Sequence, residues 1–268
     1  SNSVRRLHLL VHSYSQVVRF LALCLVSDYV RHPDLRSHAG QEILLDLQRP
    51  ALGHWVKALR EVPLLFERAR RPLFLREWGR AFADLQGKRY SGCVGYDLFA
   101  PRIELPPLDA FLKLRNVLAH GGIPPDEALS QDIWQHYFPM LRETLASLAF
   151  LQQVLVGLVT ARAEGEVVVR LLRGPQGPFP TAILGAPPDA GPQPAGADCF
   201  LLRVDDPGDS LPLYPLFTDL LEDQDLPDGP EPLLSYDGLG KDRVYYLGLK
   251  RKFETRSHFG AVMGRLFT

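Results

Sequence analysis

The stretch LQQVLVGLVTARAEGEVVVRLL, residues 151–172, decides how the fold is read, because the chain changes texture inside it. Up to Ala163 it continues a helical pattern that starts at Asp126. From Glu166 to Leu172 it is β-rich, with Val167, Val168 and Val169 in succession. Branched side chains of that kind suit a pleated surface. A boundary near residue 163 follows. The fold class expected is α+β: an N-terminal all-α helical bundle over residues 4–163, then a small antiparallel β-rich region over residues 164–268.

Toward the N-terminus the helical rhythm is sustained. From Val4 to Val30 the positions Leu7, Leu10, Val11, Tyr14, Val17, Val18, Leu21, Leu25 and Val26 recur at threes and fours, which predicts one long amphipathic helix. His32-Pro33 should end it, since the residue before proline avoids the α region. A second helix is expected over about Gln41–Gln48. Pro50 opens a third, with Trp55, Val56 and Leu59 on one side, and Pro63 should break it. A helix over Pro72–Leu85 would carry Phe74, Leu75, Trp78 and Phe82 as its apolar stripe, and Gly87–Leu105 reads as a connector. Leu108–His120 is the next helix, stopped by Gly121-Gly122. Pro139 should kink or split the last one.

Toward the C-terminus, proline and glycine are dense from Gly174 to Gly196. Short strands are expected at Phe200–Val204, Leu211–Phe217, Leu233–Tyr236 and Val244–Leu249. Turns should fall at Asp205–Gly208 and at Tyr236-Asp237-Gly238, and a C-terminal helix should close the unit.

Composition bounds the function classes. The chain has 268 residues and is 46% hydrophobic, enough for one large domain or two small ones. The longest charge-free run, residues 144–161, is 18 residues and is interrupted by Gln152-Gln153, and no leader pattern opens the chain, so neither a membrane span nor a signal peptide is expected. Cys24, Cys93 and Cys199 form no CxxC pair, which argues against a disulfide framework or a zinc site and for a reducing, cytoplasmic setting. The opening Ser1-Asn2-Ser3, without an initiator methionine, and the abrupt stop at Leu266-Phe267-Thr268 suggest a piece of a longer polypeptide. Net charge is -1, but residues 1–163 carry 20 Lys+Arg against 15 Asp+Glu, and residues 164–268 carry 10 against 16. Only the first half would mildly favour a polyanion.

The chemistry-bearing stretch is LRNVLAHGG, Leu114–Gly122. Asn116 and His120 are four apart and share a helix face, while Arg115 projects about 100° from Asn116. His120 sits in the last turn, where its ring can reach past the helix end. Arg115 and His120 could both approach a phosphate there, particularly if a second helix or a second chain completes the cleft.

Arg115 to His120, R-N-V-L-A-H, resembles the R-x4-6-H motif of HEPN domains. The asparagine directly after the arginine and the glycine after the histidine match that family's common form. So does the setting: a long first helix, shorter ones, the motif late in the bundle, then another long helix. The resemblance covers residues 4–163. The stretch QRPALGHWVK, Gln48–Lys57, also resembles a segment upstream of the motif in some bacterial HEPN proteins fused to signalling modules. The resemblance implies a homodimer that brings two motifs into one cleft. It implies either a metal-independent endoribonuclease acting on RNA, as in many members, or a binding and dimerisation module, as in others. No cofactor is implied.

Metal-free RNA cleavage requires the ribose 2′-OH to attack its own phosphate. A base takes the 2′ proton and an acid protonates the leaving 5′ oxygen. Histidine suits either role because its reference pKa is about 6.5. The bidentate fork of arginine fits the charge that develops on phosphate oxygens. The roles expected are therefore His120 as acid or base, Arg115 as phosphate clamp and Asn116 as positioning group. The bland alternative is a basic helix end that simply complements the helix dipole.

Other groupings point to structure more than to chemistry. His8 and His12 are four apart but lack a third ligand. No G-x-S-x-G elbow is present. Leu239-Gly240-Lys241 lacks the Walker spacing and reads as a hairpin turn. Glu222–Asp225 with Asp228 lacks the EF-hand order and reads as a solvated loop. Arg68-Ala-Arg-Arg71 could contact RNA or be a wet helix face. The near-neutral total charge favours the rival function, a regulatory module that docks a protein partner or a fused effector.

Overall fold

A computed structural model describes residues 2–92, 103–120, 126–163, 166–172, 180–185, 199–206, 209–218, 233–248, 252–256 and 259–266. It is α+β. The helices are α1 (Asn2–Val30), α2 (His38–Asp46), α3 (Leu52–Arg68), α4 (Trp78–Gly87), α5 (Pro107–Ala119), α6 (Glu127–Ser147) and α7 (Phe259–Leu266). Strands β1 (Tyr90–Gly92) and β2 (Ile103–Leu105) pair between α4 and α5. The rest follow α6: β3 (Val154–Ala163), β4 (Glu166–Leu172), β5 (Thr181–Gly185), β6 (Cys199–Arg203), β7 (Ser210–Pro212), β8 (Phe217–Thr218), β9 (Leu234–Leu239), β10 (Val244–Leu247) and β11 (Lys252–Thr255). All pairings are antiparallel, in sheets of order β1-β2, β5-β4-β3-β6-β7 and β11-β10-β9-β8.

Two compact units emerge. One comprises Ser1–Arg19 with Leu75–Phe150; the other comprises Phe20–Phe74 with Leu151–Thr268. The boundary expected near residue 163 falls inside the second, at the β3–β4 hairpin.

In the first unit, α5 is seated by aromatic packing. Its Phe111 stacks on Tyr14 of α1 at 4.1 Å and meets Tyr137 of α6 edge-on at 5.4 Å. All three rings are fully buried, and the Tyr14 hydroxyl donates to the Leu108 carbonyl at 3.2 Å. Asp126 caps α6 by accepting from the Leu129 amide at 2.8 Å. Tyr90 of β1 donates to Glu143 of α6; burial and that carboxylate push the phenol up to about 12.

In the second unit, the end of α1 is apolar on every side, and residues 21–29 are all buried. Asp28 is buried there too. One carboxylate oxygen accepts the Phe74 amide at 2.7 Å and the other lies 3.5 Å from His32. By length and composition α1 could cross a membrane, although half of its most apolar window is buried inside the protein. Charge-free length alone is therefore too strict a criterion, because α1 qualifies despite Arg19. The four-stranded sheet grips the corner between α2 and α3. Tyr236 of β9 donates to the Leu47 carbonyl at 2.8 Å, and the Leu239 amide donates to the Gln48 carbonyl at 2.7 Å.

Several expectations are corrected. Residues 154–163 are not the tail of a helix but β3, the central strand of the five-stranded sheet, bonded to β4 and β6. Val154, Val156, Val159 and Thr160 prefer a pleated surface. Gly157 lets the Val169 and Leu202 side chains close over the strand: a Cβ there would lie 2.4 Å from Val169 Cγ1. Pro63 does not break α3, and Pro139 does not split α6. The cost of each proline is outweighed by buried neighbours, Val62, Leu65 and Phe66 in α3 and Tyr137, Met140 and Leu141 in α6. Residues 72–77 are not helical, and α4 begins at Trp78.

The expected connector over Gly87–Leu105 contains the β1–β2 pairing. The turn expected at Tyr236–Gly238 is instead a bulge inside β9. The register with β10 shifts there, and Gly238 sits at φ 145° against Pro50 and the Gln48 carbonyl. β5 lies within the proline- and glycine-dense stretch, and β11 had no sequence expectation. Cys93, Gly121-Gly122, Pro207-Gly208 and the acidic run Glu222–Asp228 lie outside the described residues.

Candidate functional site

The helix that carries the motif has one buried face, made by Pro107, Leu108, Ala110, Phe111, Leu114 and Val117. At about 100° per residue, Asn116 and His120 fall on the opposite, solvent side, about 40° apart. Both are exposed. Arg115 falls at the margin between the two faces and is half-buried. Its side chain turns toward the exposed side, where Nη1 donates to Asn116 Oδ1 at 3.2 Å. His120 is the C-cap, at φ -97°, ψ 14°, and its amide donates to the Asn116 carbonyl at 3.1 Å.

Asn116 is thus the hinge of the constellation. Its side chain holds the Arg115 guanidinium and its carbonyl anchors the residue that bears the imidazole. Among the described residues no carboxylate pairs with Arg115. An exposed imidazole and a guanidinium held by a neutral amide can both meet an incoming phosphate. Among the described residues, Asn116 and His120 lie exposed at the helix end.

The other sequence candidates serve as structure. His8 and His12 are exposed on α1, and His12 lies 3.5 Å from Gln16. Among the described residues no three His, Cys, Asp or Glu side chains group as a metal cage. Cys24 and Cys199 are both buried, and burial raises the Cys24 thiol far above its ordinary value. In the basic run, Arg71 pairs with Asp34 at 2.9 Å. Arg70 sits at φ 55° in the left-handed turn that ends α3. The Gly240 amide donates to the Arg243 carbonyl at 2.8 Å, which makes Leu239-Gly240-Lys241 part of a hairpin turn, as expected.

Sequence reading missed one feature. A cavity of about 410 Å³ lies in the second unit and is lined by residues as distant in sequence as Tyr29 and Leu266. No local spacing signals it, because three separate helices contribute its walls. The chain matches no protein-family model, no curated protein and no solved structure.

Proposed function

We propose that the chain is a HEPN-like protein and that the end of α5 cleaves RNA without a metal, in a cleft completed by a second copy. His120 acts as acid or base, Arg115 clamps the phosphate and Asn116 positions the guanidinium. The observation that supports this most is the Arg115–Asn116 hydrogen bond beside an exposed His120.

The test is RNA incubation in EDTA with the wild type and His120→Ala. Cleavage by the wild type should fall by about 10²- to 10⁴-fold in the variant. Its folding stability should move by no more than about 0.5 kcal/mol, since the side chain is exposed. Cleavage that survives the substitution removes the assignment. No cleavage by either protein favours the second reading, a dimerising regulatory module with a protein partner or a fused effector. The net charge of -1 supports that reading, since RNA-binding surfaces are usually basic.

A further inference from the structure

On α6, Trp134, Phe138 and Arg142 are spaced four residues apart, so each step advances about 40° around the helix. The Trp134 and Phe138 rings stack at 4.7 Å, 15° from parallel. From α1, the Arg6 guanidinium stands over the same indole, 5.7 Å from its centroid. Trp134 is half-buried and engaged by both neighbours, whereas Phe138 is 41% exposed. A ladder of cation, indole and phenyl therefore ends in a ring open to solvent. One exposed aromatic needs no explanation. A phenyl stacked on an indole, with one arginine over that indole and another a turn further along the helix, does.

The charge around it is cationic. Residues 1–27, nearly all of α1, contain no Asp or Glu. Arg5, Arg6 and Arg142 are all exposed. The acids of α6 are placed or engaged elsewhere. Glu127, about two turns before Trp134, accepts the Ser3 amide at 2.9 Å, and Glu143 accepts the Tyr90 hydroxyl. Asp132 falls about 160° around the helix from Trp134. A second copy docked on this face would add its own Arg6 and Arg142 to the same patch, and like charges so placed oppose association. A polyanion that carries flat rings is the complementary occupant.

We propose that the Trp134–Phe138 face, with Arg6 and Arg142 beside it, is a stacking platform for single-stranded RNA. A base lies on Phe138 and its flanking phosphates meet the two guanidinium groups. Every base has a π-face and every nucleotide a phosphate, so such a surface holds a strand without reading its sequence. The proposal rests on the RNA reading of the α5 end for its ligand class. A 2′-O-methyl strand, which has no 2′-OH to attack, measures binding apart from cleavage.

The test is titration of the 268-residue chain with a short 2′-O-methyl oligoadenylate, its duplex with oligouridylate, and inorganic polyphosphate. Trp55 and Trp78 are only 2% and 0% exposed, so Trp134 is the tryptophan placed to report a base arriving on Phe138. The single strand should quench its fluorescence saturably, and polyphosphate should not. The duplex, whose bases are already stacked, should bind more weakly. Phe138→Leu keeps an apolar side chain but removes the ring, and should weaken the single strand about tenfold. Phe138→Tyr should bind like the wild type. Arg6→Gln and Arg142→Gln should each weaken the strand severalfold and flatten its salt dependence. No binding, equal binding of strand and duplex, or full affinity in Phe138→Leu overturns the proposal. So does a dimer, seen in sedimentation of the protein alone, that Phe138→Leu dissolves, since the face then belongs to a second copy. Binding without cleavage of ordinary RNA removes the α5 assignment alone, and cleavage without Phe138-dependent binding removes this one alone.

Discussion

The end of α5 and the cavity beside α2 are opposites. The first concentrates reactive groups, Arg115, Asn116 and His120, within six residues, and leaves them open to water. The second gathers ordinary residues from three helices around a half-open hollow. Enclosure is what turns polar groups into a site, since dehydration strengthens every electrostatic contact inside. Among the described residues the α5 end exposes Asn116 and His120, and the proposed chemistry there would require a second surface. The cavity draws its walls from its own fold.

Three substitutions would break or sharpen that contrast. Phe111→Ala should have the largest effect. It removes a fully buried ring stacked on Tyr14 and should cost about 3–5 kcal/mol, read as a fall in the urea midpoint. A loss under about 1 kcal/mol would mean that α5 is held by something other than this aromatic seat.

Gly40→Ala comes next. Its Cβ would collide with the Tyr29 hydroxyl, and overpacking of this kind costs about 1–3 kcal/mol. Part of that loss should return in the double variant with Tyr29→Phe. Additive losses in the double-mutant cycle would show that the two positions do not share a space.

Asp28→Asn should have the smallest effect and the most distinctive pH dependence. Burial raises the Asp28 carboxyl above its ordinary value of 3.8. The unfolded chain releases its proton near that value, whereas the folded chain holds it to higher pH. Asp28 therefore lowers stability progressively as pH rises from 3.8 through the raised folded value, and the penalty disappears on acidification below 3.8. Asparagine can still accept the Phe74 amide. The variant should match the wild type near pH 3.5 and gain on it toward pH 7, read from urea midpoints across that interval. A wild type that gains on the variant as pH rises would show that His32 and the Phe74 amide outweigh burial.

The helices were legible wherever an apolar stripe ran long enough to exceed a turn or two. The Val4–Val30 pattern became α1 (Asn2–Val30), and the first β-rich run, Glu166–Leu172, became β4 with the same bounds. Two prolines misled. Pro63 and Pro139 sit within helices because the packing around them outweighs a lost hydrogen bond, a balance that local sequence does not carry. The VLVGLVTARA segment misled because a short apolar run fits a buried helix or a central strand equally well by spacing. Only its branched residues and Gly157 argued for the strand. The Arg115, Asn116 and His120 constellation was legible because it is local. The cavity was not, because Tyr29, Arg36 and Leu266 meet only through tertiary structure.

The grip of β9 on the α2–α3 corner also governs the order in which the chain can assemble. Tyr236 and Leu47 are joined by a hydrogen bond spanning 189 residues, and the whole first unit except residues 1–19 is encoded between them. During synthesis α2 and α3 leave the ribosome long before the strand that completes their packing exists. Local helices can form early, but closing so long a loop is slow. The nascent chain must therefore carry the apolar flanks of α2 and α3 unfinished until β9 is translated, an interval in which chaperone capture or aggregation competes with folding.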